Sequence, residues 1–458
     1  MKQFALSLLF LLAGMTCANA QTYPLEIINR SGAGKEGLNM VILSEGYTES
    51  QLAQFRSEAT VLADSFFHHT PWKEYKDYIN VYRVPIASNV TGAGLTPENP
   101  IDNVYGVCFG TSGVDRMPWP TKMDKVYQVL NATVPDHDMV VILVNMNKYG
   151  GGGTSGYLCI SNHLSGYWVN DYFQTLIHEA GHAFADLADE YWYNGYERPN
   201  QTRESDPTKV KWKNWVGKDG VGVYPYSESP TWYRPHQNCL MRYLGRRYCD
   251  VCRQELIESI HDKVKPLASY EPDNARRILA EPTATSMTFS LNLIKPSPNT
   301  LDVSWKLDGK TLDDVTGDDY TVTFTELDNP YTTHFLSATI EDKSPYLLVD
   351  NHSTRHASTV SWRFCLDGEA DAIEVVSAEE NDFAVGPVPF DHQLSIRRTG
   401  GTDTFTASLV DLNGNTVSHG QGTGQLTLST AALPDGVYVL QLTHHGQVVY
   451  TRKLLKSK

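Results

Sequence analysis

In the stretch QTLIHEAGHAFADLADEYW, Gln174 to Trp192, two histidines stand four residues apart with a glutamate beside the first. On a helix, positions i and i+4 share a face, so His178 and His182 can bring their imidazoles to one point. Neutral imidazole is a zinc ligand, and a carboxylate next to the first histidine is placed to take a proton from water at the metal. His178, Glu179 and His182 therefore have the types and spacing of a hydrolytic zinc site. The competing reading is a capped surface helix carrying two ordinary histidines. A third protein ligand would come from Asp186, Asp189 or Glu190. On a continued helix Asp186 points near the histidine face but lies a full turn beyond the ion. Asp189 reaches it only if the helix stops and the chain folds back, and the loss of amphipathicity in ADEYW favours such a turn. The expected order is Asp189, then Glu190, then Asp186. Three protein ligands leave a fourth position open for water, and one catalytic Zn2+ is the expected cofactor.

A helix must carry these residues. Asn170 or Asp171 can cap it, and Phe173, Leu176, Ile177, Ala180, Phe184 and Leu187 recur at helical spacing as its core face. Gly181 leaves space beside the metal, although glycine inside a helix costs about 1 kcal/mol relative to alanine. Upstream, LNMVILSEGY and DMVVILVN read as buried strands. Between them TESQLAQFRSEATVLADSFF reads as a helix opened by Thr48, with Gln51 completing a capping box. Strand, helix and strand in this order predict a layered α/β domain. The run YGGGGTSG, Tyr149 to Gly156, lacks the Gly-Lys-Ser/Thr of a phosphate loop. It reads as a flexible loop or as backbone closely approached at a cleft rim.

The 458 residues exceed one ordinary core, so two or three domains are expected. Residues 1–20 pair a lysine with a short apolar run and end Ala18-Asn19-Ala20, the pattern of a cleaved signal peptide. No later stretch is apolar enough to span a membrane. The net charge of −15 comes without a basic tract, which excludes a nucleic-acid partner. After Pro272 the chain turns to alternating Thr-, Ser- and Val-rich runs. Residues 281–380 read as a β-sandwich and 386–458 as a second β domain, with Asn-Gly and Asp-Gly pairs as hairpin turns.

Six cysteines remain after cleavage: Cys108, Cys159, Cys239, Cys249, Cys252 and Cys365. In an oxidising compartment they point to disulfides, Cys239 with Cys249 or Cys252 and Cys108 with Cys159, leaving Cys365. His236, Cys239, Cys249 and Cys252 also have zinc-ligand types at tolerable spacing, the lesser alternative.

HEAGHAFADLADEYW, with NCLMRYLGRRYCDVCRQEL downstream, NMVILSEGYTESQ and NKYGGGGTSG, resembles the bacterial IgA peptidase family of zinc metalloendopeptidases over residues 38–265. The resemblance implies a metzincin-like catalytic domain with Met241 in the turn beneath the zinc. It implies His178 and His182 as ligands, Glu179 as general base and an acidic third ligand from the Asp-Glu-Tyr segment. Metzincins place a glycine three residues after the second histidine and the third ligand three further on. Here those positions are Ala185 and Ala188, which moves the ligand to Asp189. Tyr243 resembles the tyrosine that some metzincins swing toward the zinc to stabilise the oxyanion; a packed aromatic is the plain alternative. VGPVPFDHQLSI, VDLNGNTV, LPDGVYVLQL and the basic end RKLLKSK resemble a type IX secretion sorting domain, although Pro387-Val388-Pro389 stands where Pro-Asn-Pro is usual.

The resulting expectation is a signal peptide (1–20), a metzincin-like α/β zinc peptidase domain (21–270) and two all-β domains (281–380 and 386–458). The activity expected is that of a secreted zinc endopeptidase, a monomer, acting on protein or peptide, host immunoglobulin included. A surface adhesin or glycan-binding protein with a vestigial metal site is the alternative, and hydrolysis of a non-protein amide or ester the third.

Overall fold

The computed structural model describes residues 22–32, 34–164, 172–367, 383–398, 403–411, 415–444 and 447–456. The expected signal peptide and the capping residues Asn170 and Asp171 lie outside them. The chain divides into two compact units, one of residues 1–276, 288–321 and 335–362, the other of 277–287, 322–334 and 363–458.

The first unit is built on a six-stranded sheet. Its strands are β1 (Glu26–Asn29), β2 (Leu38–Glu45), β3 (Ile79–Val84), β4 (Met139–Val144), β5 (Gly151–Thr154) and β6 (Tyr157–Ser161), ordered β1-β3-β2-β4-β6-β5. The four central strands are parallel, and β1 and β5 are antiparallel edges. β2 and β4 are buried along their whole length, as parallel strands covered on both faces must be. Their side chains alternate between two cores. Met40, Ile42, Val141 and Leu143 meet helices α1 (Leu52–Phe66), α3 (Tyr172–Ala185) and α4 (Asp250–Lys263). Val41, Leu43, Val140 and Ile142 meet α2 (Met123–Thr133) on the other side. α1 is held by a stripe of Leu52, Phe55, Ala59, Leu62 and Phe66. Each large apolar side chain so buried contributes roughly 2 kcal/mol before entropy is counted. Its entry is fixed by Gln51, whose Oε1 accepts the Thr48 N–H at 3.1 Å.

Downstream strands of the same unit attach to α4 through buried polar groups. Leu301–Leu307 pairs antiparallel with His334–Asp342, and the Asp342 carboxylate receives His261 of α4 at 2.9 Å, Thr300 at 2.6 Å and the Tyr75 hydroxyl. Burial opposes a charge on Asp342, but these donors hold its carboxyl below the usual range. Glu258, also on α4, meets His352 Nδ1 at 2.5 Å and His356 Nε2 at 3.0 Å.

In the second unit, residues 383–456 form one seven-stranded antiparallel sheet. Its core includes Phe390, Leu394, Ile396, Leu409, Leu440 and Leu442. The expected Asp435-Gly436 hairpin is not formed: Gly436 opens the strand Gly436–His444, which pairs with Thr404–Val410 and Gln447–Lys456. Asn413 and Gly414 lie outside the described residues, although the strands flanking them do pair antiparallel. Among the described residues no helix is long and apolar enough to cross a membrane.

Candidate functional site

α3 is buried almost all round, wedged between α1, α4 and the strands β5 and β6. Leu176, Ile177, Ala180 and Leu187 are buried in the core, while Phe173 and Phe184 pack at its margin. Gly181 has a specific reason: a Cβ there would meet Met241 Sδ at 2.7 Å and Leu187 Cδ1 at 3.3 Å. The space beside Gly181 is therefore filled by Met241 and Leu187. The helix stops at Ala185 because Asp186 adopts a left-handed conformation (φ 52°), and the chain folds back so that Leu187 N–H reaches Gly181 O at 3.1 Å.

The returning segment is pinned group by group. Asn200 accepts the Ala188 N–H at 2.7 Å and donates to its carbonyl at 2.9 Å. The Tyr226 hydroxyl donates to Asp189 O at 2.9 Å, and Glu190 N–H donates to Met241 O at 2.8 Å. With its backbone satisfied in this way, the segment can stay buried without a regular partner strand.

This return brings Asp189 to the histidines. His178 Nε2, His182 Nε2 and Asp189 Oδ1 form a triangle with every edge 3.2 Å. The other ring nitrogens face carbonyl oxygens: His178 Nδ1 lies 3.2 Å from Leu240 O and His182 Nδ1 2.6 Å from Leu187 O. A carbonyl only accepts, so each Nδ1 carries the proton and each Nε2 turns a lone pair inward. Three electron-rich atoms thus converge, which a cation or a proton must relieve. Donors at about 2.0–2.1 Å from a tetrahedral zinc lie roughly 3.3 Å apart, so the residues fit that ion. With a proton instead, burial works against a charged His182, but Asp189 beside it lifts its pKa to about 9. Burial likewise opposes an ionised Asp189, and the two imidazoles override it, holding the carboxyl far below its usual range.

The three residues line a cleft of about 340 Å³ together with Glu179, Tyr191, Arg116 and β5. β5 replaces the loop reading of YGGGGTSG and agrees with the other, backbone closely approached at the cleft: Gly151–Thr154 is an edge strand, and its glycines admit α3. A Cβ at Gly151 would lie 2.3 Å from Thr175 Cγ2, and one at Gly153 would lie 2.7 Å from Glu179 O and 3.2 Å from Glu179 Oε2. Glu179 is consequently buried against bare backbone with its carboxylate in the cleft.

The remaining expected residues do not join the triangle. Asp186 lines the same cleft but pairs with Arg198 and is mostly exposed. Tyr243 is 49% exposed, with the Arg242 guanidinium over its ring, and does not line the cleft. The phenol that does is Tyr191, which sequence reasoning missed; its hydroxyl accepts Arg116 Nη2–H at 3.2 Å. Burial and the Asp189 charge push Tyr191 up to about 12 against the pull of Arg116, so it remains a donor at neutral pH.

Glu190 stands instead in a buried cluster with Cys239, Cys249 and Cys252. His236 is not part of it, its ring being held by Asp219 O and the Asn238 N–H. All six described cysteines are free, correcting the disulfide expectation. Cys252 Sγ stands 3.7 Å from Cys239 Sγ and 3.6 Å from Cys249 Sγ, well beyond the bond length of about 2.05 Å.

Residues 27–230 match the family model of IgA Peptidase M64, and residues 384–457 that of the secretion system C-terminal sorting domain. The tail marks the chain as secreted or displayed at the cell surface. These matches support the resemblance drawn from the motifs, although NCLMRYLGRRYCDVCRQEL lies beyond residue 230. No curated protein matches the chain. Solved structures that align include a biofilm-associated protein BSP domain, 13% identical over 40% of this chain and 29% of that one, with a TM-score of 0.15. The Parabacteroides merdae β-glucuronidase is 7% identical over 50% and 28%, with a TM-score of 0.16. The Clostridium thermocellum CbhA fibronectin(III)-like modules are 7% identical over 41% and 92%, with a TM-score of 0.15. This chain therefore spans less than a third of the first two.

Proposed function

We propose that the protein is an exported zinc-dependent endopeptidase with a metzincin-like catalytic domain. His178, His182 and Asp189 would hold the metal, and Glu179 would serve as general base. The observation carrying this reading is the convergence of three inward-facing acceptors at 3.2 Å in the cleft that also contains the Glu179 carboxylate. A bound zinc would act as Lewis acid toward the scissile carbonyl and make water a better nucleophile. Glu179 takes the proton from the attacking water on its carboxylate and passes it to the leaving nitrogen. Tyr191, protonated and fixed by Arg116, offers its O–H to the developing oxyanion, the role expected of Tyr243. β5, an antiparallel edge beside these groups, suits an extended peptide that adds to the sheet through its backbone.

We further propose that residues 1–20 are removed on export, that the 386–458 tail is a sorting module and that the chain works as a monomer. Immunoglobulin A, named in the matched family's description, is the first protein to test as substrate. The deciding experiment compares Glu179→Gln and Asp189→Ala with the parent on casein and on IgA. Glu179→Gln is expected to keep the cleft metal and lose hydrolysis, and Asp189→Ala to lose both. Hydrolysis retained by Glu179→Gln would sink the mechanism.

A further inference from the structure

Outside the cleft, the densest set of metal-ligating side chains is Glu190, Cys239, Cys249 and Cys252. One ligand atom from each lies within 4.8 Å of all the others. Cys252 Sγ is the hub, 3.7 Å from Cys239 Sγ, 3.6 Å from Cys249 Sγ and 3.4 Å from Glu190 Oε1. Sulfurs at about 2.3 Å from a tetrahedral zinc stand roughly 3.8 Å apart, and sulfur and oxygen ligands roughly 3.5 Å apart. The observed separations fit that arrangement and are too long for a disulfide.

A second, independent observation concerns the carboxylate. Glu190 is wholly buried and directed into the thiols; Asn200 donates to its Oε1 at 3.1 Å, while Oε2 has no hydrogen-bond partner. A buried carboxylate with an orphan oxygen is costly unless a proton or a cation receives it. Three thiolates and one carboxylate make a closed set of four donors with no position for water, and thiolate-rich tetrahedral donors select zinc among common divalent ions.

We infer that Glu190, Cys239, Cys249 and Cys252 form a second, structural zinc site, distinct from the cleft. The three thiol protons leave to solvent as the ion binds. Its position gives it a task. Glu190 follows Asp189 in the chain. Cys239 precedes Leu240, whose carbonyl orients His178, and Met241, which packs under Gly181. Cys249 stands immediately before α4 and Cys252 lies in its first turn. The ion would tie together the two segments that place Asp189 and His178 and fasten both to α4.

The test measures zinc content, zinc-edge X-ray absorption and thiol number on the purified mature chain, beside the variants Asp189→Ala, Cys252→Ser and Glu190→Gln. Asp189→Ala is expected to retain one zinc per chain with sulfur neighbours at about 2.3 Å, and Cys252→Ser to lose it. Should Cys252→Ser fail to fold, Glu190→Gln decides by its effect on melting. With an ion present it lowers the melting temperature; without one, the isosteric amide leaves melting nearly unchanged. A disulfide among the three cysteines would overturn the inference, as would Asp189→Ala free of zinc with three titratable thiols. A parent holding a single, sulfur-ligated zinc would uphold this site and sink the cleft reading, so the two proposals fail separately.

Discussion

The peptide between Asp189 and Glu190 separates two unlike donor sets. On one side two imidazoles and a carboxylate open to a cleft with the Glu179 carboxylate beside them; on the other three thiols and a carboxylate are sealed from solvent. Both gather electron-rich atoms to one point, and what differs is access. An open set of three nitrogen and oxygen donors leaves room for water and substrate, whereas a closed set of four can only hold the fold together. One dipeptide thus contributes a carboxylate to each set.

The largest effects that would break this contrast lie at the two glutamates. Glu179→Gln should cut kcat by on the order of 10²–10⁴-fold with melting nearly unchanged. Glu190→Gln should instead lower melting by roughly 5–10 °C, equivalent to about 2–4 kcal/mol, with the cleft zinc still able to bind. If each variant produced the other's phenotype, the two roles would be exchanged. Next, Gly153→Ala forces a methyl against the Glu179 main chain and carboxylate. A destabilisation of about 1–3 kcal/mol with a larger proportional loss of kcat is expected, by denaturant unfolding and initial rates.

Proton release sharpens the same comparison. His182 is lifted to about 9, so at pH 7 the metal-free cleft carries a proton that an incoming cation must expel. Calorimetry in buffers of different ionisation enthalpy should show about one proton released per cleft metal. Apparent affinity should rise with pH up to about 9 and flatten above it. The smallest effect lies on α4 at Glu255, which burial and the nearby Glu258 raise to about 7. Its neutral form is favoured in the fold, so its contribution is complete below about pH 4.5 and lost as pH rises through 7. Glu255→Gln should therefore stabilise by on the order of 1–2 kcal/mol at pH 8 and by little at pH 4.5, read as a pH-dependent difference in melting.

Much of the cleft was legible because its information is local. The i, i+4 histidines and the failing amphipathicity after Leu187 are properties of a dozen consecutive residues, and both shape the structure. The two buried strands and the capped α1 were readable for the same reason. What escaped depends on contacts distant in sequence. The glycine run reads equally as a loop or as closely approached backbone until α3 is placed on it, for the need to omit side chains comes from Thr175 and Glu179. Tyr191 and Tyr243 cannot be ranked by type, since their positions follow from the chain reversal after Ala185 and from Arg116, 75 residues earlier. Export argues that cysteines pair, yet a carboxylate from residue 190 standing among three thiols is visible only in three dimensions.

Sealing also governs time. An ion held by Glu190, Cys239, Cys249 and Cys252 has no path to solvent while the fold is closed, so its exchange is limited by the rate of opening, whereas the cleft exchanges through water. The two sites would thus have separate clocks. The sealed one is loaded as the chain folds and then carried for the molecule's lifetime, while the open one can be filled, emptied and refilled wherever the protein is delivered.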